Sequence, residues 1–196
     1  MSFAGIGKQT AVAFAKHGIT RLAVADINKS LLDTSIADLK QLYPTLQVLP
    51  LQLDVRDKVQ VRQGIAETAK AFGRLDVAVN NAGIASNGRL THETEDDEIE
   101  RVLDINLRGV YRCQKEELAL MVNQECVPSQ RNPLNAGLDC DIARRGAVTD
   151  EWPRDLGPKE GRGRIVNVAS MYGLIAPSSH LSHTPYVTAK HGNDNP

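Results

Sequence analysis

The sequence has little cysteine, and its three cysteines do not form a recognisable set. Cys113, Cys126 and Cys140 are odd in number and lack the short spacing of zinc ligands. They give no support to a disulfide framework, and reduced thiols are the expected state. His180 and His183 could share a metal ion, but the polarity of a loop explains them more simply. The sequence therefore predicts no metal site.

The chain also lacks long hydrophobic runs and any excess of charge. No apolar run reaches the ~18 residues of a membrane-spanning helix, and the first residues hold no hydrophobic core of a signal peptide. The net charge is -1, so nothing points to nucleic acid or to an anionic membrane as a partner. A small-molecule ligand and a cytoplasmic location are the expectations that remain.

What the chain does contain is an alternation of strand-like and helical segments. Short apolar runs predict buried strands at 21–26, 46–53, 75–80 and 165–169. Between them, apolar residues recur at helical spacing. These stripes are Leu32, Ile36, Leu39 and Tyr43; Val61, Ile65, Ala69 and Phe72; and Leu107, Tyr111, Leu118 and Val122. Asp57 can cap the helix of the second stripe, and Gly73 can end it. The alternation predicts one α/β domain over 1–196, with a doubly wound parallel sheet and helices on both faces.

One stretch, 127–163, breaks this alternation. It is rich in proline and glycine and has no clean periodicity. A long loop without secondary structure is uncommon inside a compact domain, so we interpret it as an irregular surface insertion. A lid that covers the substrate is the more specific interpretation, and the sequence does not decide between the two.

Polar residues follow the predicted strands at the points where the strands end. Asp26, Asp54, Asn80 and Ser170 each occupy such a position. Ligands of parallel α/β sheets bind outside the carboxyl ends of the strands. The sequence therefore predicts a ligand site at this edge.

A glycine pair and an acid indicate what the ligand could be. Gly5-Ile6-Gly7 precedes a predicted helix, where small residues let a phosphate approach the helix N-terminus. Asp26 could accept from the ribose hydroxyls of an adenosine and would repel a 2′-phosphate, which favours NAD over NADP. A simple helix-entry turn and a helix-capping aspartate are the plainer alternatives.

Tyr186 and Lys190 are four residues apart, so on a helix they share one face. A cationic amine beside a phenol favours the ionised form of the phenol, and the pair can then act as an acid–base device. An amphipathic turn with a solvated lysine is the plainer alternative for such a pair.

Taken in order, these motifs resemble the short-chain dehydrogenase/reductase family of the classical type. The features that carry the resemblance are Gly5-x-Gly7, Asp54-Val55, Asn80-Asn81-Ala82-Gly83, Asn106, and Ser170 ahead of Tyr186-x-x-x-Lys190. The resemblance implies a Rossmann-like fold and an NAD(P)-dependent enzyme that interconverts secondary alcohols and ketones. NAD is the expected cofactor, and NADP is less favoured.

The resemblance also implies roles for individual residues. Tyr186 would be the general acid/base, Lys190 would promote its ionisation and hold the nicotinamide ribose, and Ser170 would bond the substrate oxygen. Asn106 would position a water in a proton relay, although an amide that merely bonds backbone is the alternative. Likewise, Ser170 could merely cap a turn. The implied cofactor-binding set is Gly5, Ile6, Gly7, Asp26, Asp54, Val55, Asn80, Ala82, Gly83, Tyr186 and Lys190.

The chain departs from the family pattern at both ends. It begins within the phosphate loop and stops six residues after Lys190. The first strand and the C-terminal strands would then be missing, with much of the surface through which relatives form homo-oligomers. The alternative hypothesis is therefore a catalytically inactive fragment or misassembled gene product, which would not bind NAD tightly.

Overall fold

The computed structural model describes residues 5–124, 163–174 and 183–193, and every structural statement below concerns these residues. The predicted insertion 127–163 lies, apart from its last residue, outside them, as does His180. The elements are α1 (Ile6–Lys16), β1 (Arg21–Asp26), α2 (Lys29–Leu42), β2 (Gln47–Gln52), α3 (Lys58–Phe72), β3 (Val77–Asn80), a 3-10 turn (Thr91–Glu93), α4 (Asp96–Leu103), a π-turn (Asp104–Gly109), α5 (Val110–Met121), β4 (Arg164–Asn167), a 3-10 turn (Met171–Gly173) and α6 (Thr184–Asn193).

The four strands form two parallel pairs. β1 pairs with β2 from Arg21 opposite Gln47 to Asp26 opposite Gln52. β3 pairs with β4 in the same parallel sense. Within the described residues, the two pairs are not hydrogen-bonded to each other. The α/β class with parallel strands is confirmed, but these residues form two short sheets and not one continuous sheet.

Helices cover both faces of the β1–β2 pair. On one face, α1 and α2 pack against side chains of β1 to form the main cluster of buried residues. Its members are Ala11, Val24, Leu32, Ile36, Leu39 and Leu46. On the other face, Leu51 of β2 lies against Gly64 of α3, where a Cβ built on the glycine would be 3.6 Å from the leucine Cδ1. The doubly wound arrangement follows from the alternating directions of the strand side chains.

Local signals fix the ends of α3. The carboxylate of Asp57 accepts hydrogen bonds from the backbone N–H groups of Val59 and Gln60 and so caps the N-terminus. Gly73 ends the helix in the left-handed conformation, with φ 80°. Both residues hold the positions that the sequence predicts.

The predicted stripe on the long helix is wrong. Tyr111, Leu118 and Val122 are exposed. The buried face of α5 instead carries Glu117 and Met121. The prediction fails because the buried positions of α5, Val110, Glu117 and Met121, have the same spacing one residue earlier and include a carboxylate.

Helix α4 and the π-turn are absent from the sequence prediction. Helix α4 is short and its first turn is acidic, with Val102 as its buried residue. The described part of the chain contains no helix that is both long enough and apolar enough to cross a membrane.

Candidate active site

A cavity of about 490 Å³ opens between β1 and β3. It collects many of the polar residues predicted at the strand ends and in the glycine loop. The predicted residues that line it are Gly7, Asp26, Asp54, Val55, Asn80 and Ala82. Gly5, Ile6, Gly83 and the four predicted catalytic residues are not part of this lining. The structure thus brings six of the eleven predicted cofactor-binding residues to one cavity and leaves the other five outside its lining.

Tyr186 and Lys190 lie together on α6. The ammonium nitrogen of Lys190 is 5.8 Å from the centroid of the Tyr186 ring. Lys190 is only 5% exposed, and its Nζ donates a hydrogen bond of 2.6 Å to the carbonyl oxygen of Val168. The lysine is therefore held against the phenol and not solvated, which removes the plainer alternative for this pair.

Ser170 follows β4 and is the N-cap of the 3-10 turn Met171–Gly173. Its Oγ accepts a hydrogen bond from the backbone N–H of Tyr172 at 3.3 Å, so it does cap a turn. A hydroxyl that accepts can still donate its own hydrogen. The ring of Tyr172 in turn meets the ring of Tyr186 edge to face, with centroids 6.3 Å apart. Ser170 is thus connected to Tyr186 through one intervening residue, by the backbone N–H and the ring of Tyr172.

Asn106 is fully buried in the π-turn, and its side chain bonds backbone. Its Oδ1 accepts from the N–H of Ile84 and its Nδ2 donates to the carbonyl of Ile84, both at 2.8 Å. Its own carbonyl oxygen accepts from Nδ2 of Asn193 at 2.8 Å. Asn106 therefore ties together the segment after β3, the π-turn and the end of α6.

Gly83 has no room for a side chain beside this junction. A Cβ at Gly83 would lie 3.2 Å from Oδ1 of Asn106. Two residues before it, Oδ1 of Asn81 is a buried acceptor without a hydrogen-bond partner in the described residues. Small residues let a polar ligand approach the backbone, and an acceptor without a partner can bond to that ligand.

Asp26 lies at the end of β1 and is 5% exposed. Its Oδ1 accepts from the backbone N–H of Asn28, the N-cap of α2, at 2.7 Å. The alternative that Asp26 caps a helix is therefore partly correct, because its carboxylate accepts a hydrogen bond at the start of α2. Gly5 precedes α1 with φ 68°, a backbone conformation that side-chain-bearing residues rarely adopt.

Asp54 is engaged by a neighbour that the sequence prediction did not include. Both of its carboxylate oxygens accept from the guanidinium of Arg56, the shortest bond being 2.6 Å from Nη2 to Oδ2. These bonds hold the pKa of Asp54 below its ordinary value, so the group stays ionised at neutral pH. A cofactor contact at Asp54 would share the carboxylate with Arg56.

Asn80 belongs to a buried polar network behind the cavity. Its Nδ2 donates to Oε2 of Glu117 and to Oδ1 of Asn167, both at 3.0 Å. Burial raises the pKa of Glu117 to about 7, and the bond from Asn80 opposes this shift. Burial, and next the charge of Glu117, raise the pKa of the Cys113 thiol to about 12, so this thiol stays protonated.

His183 does not form a metal site with the residues that the structure describes. Its Nδ1 is 3.0 Å from Oγ of Ser86, which joins the start of α6 to the loop after β3. Thr91 and Thr184 make a second link of this kind, with hydroxyl oxygens 2.6 Å apart. No group of three metal-ligating side chains occurs within the described ranges.

Sequence reasoning missed several residues of this region. Asn193 stands three residues after Lys190, a spacing that places both on neighbouring parts of one helix face. Glu117 stands seven residues after the buried Val110, which marks it as a carboxylate on a buried face. The role of Val168 as acceptor for Lys190 uses only its backbone, so no side-chain pattern could have shown it.

Comparison with known proteins shows the family to which the chain belongs. A profile of the family described as short chain dehydrogenase matches residues 2–126. The chain belongs to the short-chain dehydrogenase family. The resemblance drawn from the motifs is thereby confirmed, and nicotinamide cofactors are those that this family binds.

Among the relatives in this family is the 3-oxoacyl-(acyl-carrier-protein) reductase FabG of Thermotoga maritima. It is 35% identical over 175 residues, which are 85% of this chain and 68% of the relative. Levodione reductase of Leifsonia aquatica is 35% identical over 188 residues, or 96% of this chain and 55% of the relative. The chain thus spans between about half and two thirds of the length of these relatives.

Solved structures of the short-chain dehydrogenase type share the fold. A crystal structure of levodione reductase covers 96% of this chain with a TM-score of 0.72 and 28% identity, and the chain covers 57% of it. A structure of NAD+-bound xylitol dehydrogenase matches 96% of this chain with a TM-score of 0.71, while 56% of that protein is covered. At 24% identity, the second likeness shows the fold alone. The Rossmann-like architecture is confirmed by these matches.

Proposed function

We propose that the chain carries the catalytic face of an NAD-dependent oxidoreductase that interconverts a secondary alcohol and a ketone. The observation that carries the proposal is the buried ammonium of Lys190, 5.8 Å from the Tyr186 ring centroid on the same helix. The family membership supports the reaction class. The names of the relatives, which are reductases of a 3-oxoacyl group and of levodione, support a carbonyl or alcohol carbon as the reacting centre.

Tyr186 is the proposed general acid/base. Its phenol would donate a proton to the carbonyl oxygen during reduction and take it back during alcohol oxidation. A positive charge beside the phenol stabilises the phenolate that this transfer leaves behind. The bond from Lys190 to the carbonyl of Val168 keeps that charge in position, so little reorganisation is needed when the proton moves.

Ser170 is the proposed hydrogen-bond donor to the substrate oxygen. It lies on the segment that follows β4, while its lone pair already accepts from Tyr172. A fixed donor aimed at an oxygen that gains negative charge lowers the barrier by electrostatic stabilisation. Asn106 would hold a relay water through the capacity that its bonds to Ile84 and Asn193 leave over, since its amide nitrogen has a second N–H and each of its carbonyl oxygens has a second lone pair.

The glycine loop before α1, the end of β1 and the segment after β3 fit a nicotinamide nucleotide. Gly5 at the start of α1 and the small pair Ala82 and Gly83 leave backbone open to a ligand, and Asn81 offers a buried acceptor. When bound, the cofactor supplies or accepts the hydride. Asp26 would hold the adenosine ribose and repel a 2′-phosphate, which is the reason for proposing NAD in preference to NADP.

The test is NAD- and NADP-linked turnover of a panel of secondary alcohols by the purified chain. Tyr186→Phe should lower turnover by on the order of 10²–10⁴-fold, because it removes the proton donor and keeps the ring. The matched control is Tyr111→Phe on the exposed face of α5, which should keep the wild-type rate. Equal residual activity in wild type and Tyr186→Phe would mean that another protein in the preparation is responsible.

A second candidate, a protein without catalytic activity, is favoured by one observation. The β1–β2 and β3–β4 pairs are not hydrogen-bonded to each other within the described residues. The same cavity that would hold the cofactor therefore has less rigid walls than a continuous sheet would give. No turnover with either cofactor, together with no thermal stabilisation by NAD, would favour this candidate.

A further inference from the structure

We propose that His183 is a positioning residue, which fixes the phenol of Tyr186 by tying the start of α6 to Ser86 in the segment after β3. Nδ1 of His183 lies 3.0 Å from Oγ of Ser86. The inference rests on the proposed function, because it concerns the placement of the proposed general acid/base. Neither His183 nor Ser86 belongs to the predicted catalytic or cofactor-binding residues.

The imidazole of His183 stands close to the catalytic pair on the path of α6. The carbonyl oxygen of His183 accepts a hydrogen bond of 2.9 Å from the backbone N–H of Val187, so the residue is already part of the first helical turn. Side chains three and four residues apart in a helix are neighbours, with Cβ atoms ~5–6 Å apart. Tyr186 follows His183 at the first of these spacings, and Lys190 follows Tyr186 at the second. The three side chains therefore succeed one another along one side of the helix.

Ser86 belongs to a segment that is also bonded to the other end of α6. Two positions earlier, Ile84 exchanges two hydrogen bonds of 2.8 Å with the side chain of Asn106. The carbonyl oxygen of Asn106 accepts in turn from Nδ2 of Asn193, in the last turn of α6. The bond between Ser86 and His183 joins the same segment to the first turn of that helix. The segment after β3 thus holds α6 at both ends.

The first turn of α6 is the part of the helix that most needs such a tie. Lys190 is anchored to the carbonyl of Val168, and Asn193 is anchored to Asn106, so both contacts restrain the later turns. Tyr186 lies in the first turn, where the backbone N–H groups have no partners within the helix and the end frays most easily. A bond from His183 to Ser86 restrains the turn that carries the phenol.

A second link joins the same two parts of the chain but is more exposed. The hydroxyl oxygens of Thr91 and Thr184 are 2.6 Å apart, and both residues are exposed. Ser86 and His183 are half-buried. Water replaces a lost partner easily at an exposed bond, whereas a more buried group that loses its partner is destabilised. The bond between Ser86 and His183 is therefore the link that we expect to restrain Tyr186.

The first measurement is the turnover of a secondary alcohol with NAD by variants of the purified chain. Ser86→Ala and His183→Leu should each lower kcat by about tenfold and change KM for the alcohol by less than about twofold, because a displaced phenol slows proton transfer more than it weakens binding. His183→Asn should restore most of the rate, since its amide also places a polar atom directly on Cγ. The matched control is His191→Leu, at an exposed position of the same helix, which should keep the wild-type kcat.

The second measurement reports the placement of Tyr186 without turnover. In a chain labelled with fluorotyrosine, the fluorine resonance of Tyr186 is assigned by Tyr186→Phe. Ser86→Ala should move this resonance, because the serine acts on the phenol through His183. In a His183→Leu background, the same Ser86→Ala change should leave the resonance where it is, since the bond is already absent.

The two measurements separate this inference from the proposed function. If Ser86→Ala leaves the Tyr186 resonance unmoved, or moves it equally in the His183→Leu background, His183 is not the positioning residue, whatever the turnover. A tenfold loss of kcat in His183→Leu that His183→Asn does not restore would also overturn the inference. If the resonance moves as expected but wild type turns over no alcohol, the positioning role holds and the proposed function fails.

Discussion

At the scale of single residues, the polar side chains of the site differ in what they contact: one lies beside the phenol of Tyr186, and another bonds the backbone. Lys190 is held by Val168 and lies against Tyr186, the residue proposed as the general acid/base. Asn106, by contrast, uses both side-chain atoms on the backbone of Ile84. Glu117 belongs to neither group, since it is a carboxylate buried among uncharged partners behind the cavity.

Glu117 should make the stability of the protein depend on pH. Burial raises its pKa to about 7 in the folded state, above the ~4.3 of an unfolded glutamate. The folded state therefore binds more protons, so this contribution is fully present below pH ~4 and is lost as pH rises through 7. Glu117→Gln should remove the loss and raise the unfolding free energy at pH 8 by on the order of 2–3 kcal/mol.

Urea unfolding of wild type and Glu117→Gln between pH 5 and 8 measures this difference. Glu116→Gln, one residue earlier and near the exposed Arg62, is the control and should keep the wild-type pH profile. If Glu117→Gln and wild type differ by the same amount at pH 5 and pH 8, the buried carboxyl is not what titrates.

At the scale of helices and strands, the docking of α6 depends on its last turn. Asn193 donates to the carbonyl of Asn106, and Gly192 packs so closely that a Cβ would be 2.9 Å from Cδ1 of Leu107. These contacts fix the end of the helix that carries Tyr186 and Lys190. The π-turn that receives them also positions Gly83 through Asn106.

Asn193→Leu should lower the unfolding free energy by about 1 kcal/mol, because a part-buried carbonyl loses its donor. The control is Asn123→Leu, which removes a similar bond from Nδ2 to the carbonyl of Ala119 at an exposed helix end. That variant should change stability by less than about 0.5 kcal/mol. Chemical denaturation compares the two variants. Equal losses of unfolding free energy would show that the Asn193 bond stabilises the protein no more than an exposed bond does.

The sequence predicted elements wherever local chemistry decides the structure. Asp57 and Gly73 were placed correctly because capping depends on one side chain and one backbone angle. The face of α5 was not, since its buried side carries the carboxylate of Glu117 while the apolar side chains of Tyr111 and Leu118 are exposed. The spacing of Tyr186 and Lys190 was enough to predict that they lie together. The ion pair of Arg56 with Asp54 was not predicted, because it depends on the conformation of the turn between them.

At the scale of the whole molecule, stability is distributed unevenly between the two strand pairs. The main cluster of buried residues belongs to the β1–β2 half, with Leu32 and Leu39 almost completely inaccessible to solvent. In the other half, β4 alternates between exposed and half-buried positions, and Val166 is 49% exposed. Packing of α3 against α5 joins the halves, while no strand-to-strand hydrogen bonds do so within the described residues.

The two halves should therefore unfold at different denaturant concentrations. Tyr43 packs against the β1–β2 cluster, whereas Tyr172 and Tyr186 lie beside β4 and α6, so fluorotyrosine labels report each half separately. Fluorine resonances, assigned by single Tyr→Phe variants, should show the Tyr172 and Tyr186 transitions at lower urea than that of Tyr43. Local unfolding is expected where fewer apolar contacts are buried. Coincident transitions for all three residues would instead show that helix packing alone couples the halves into one cooperative unit.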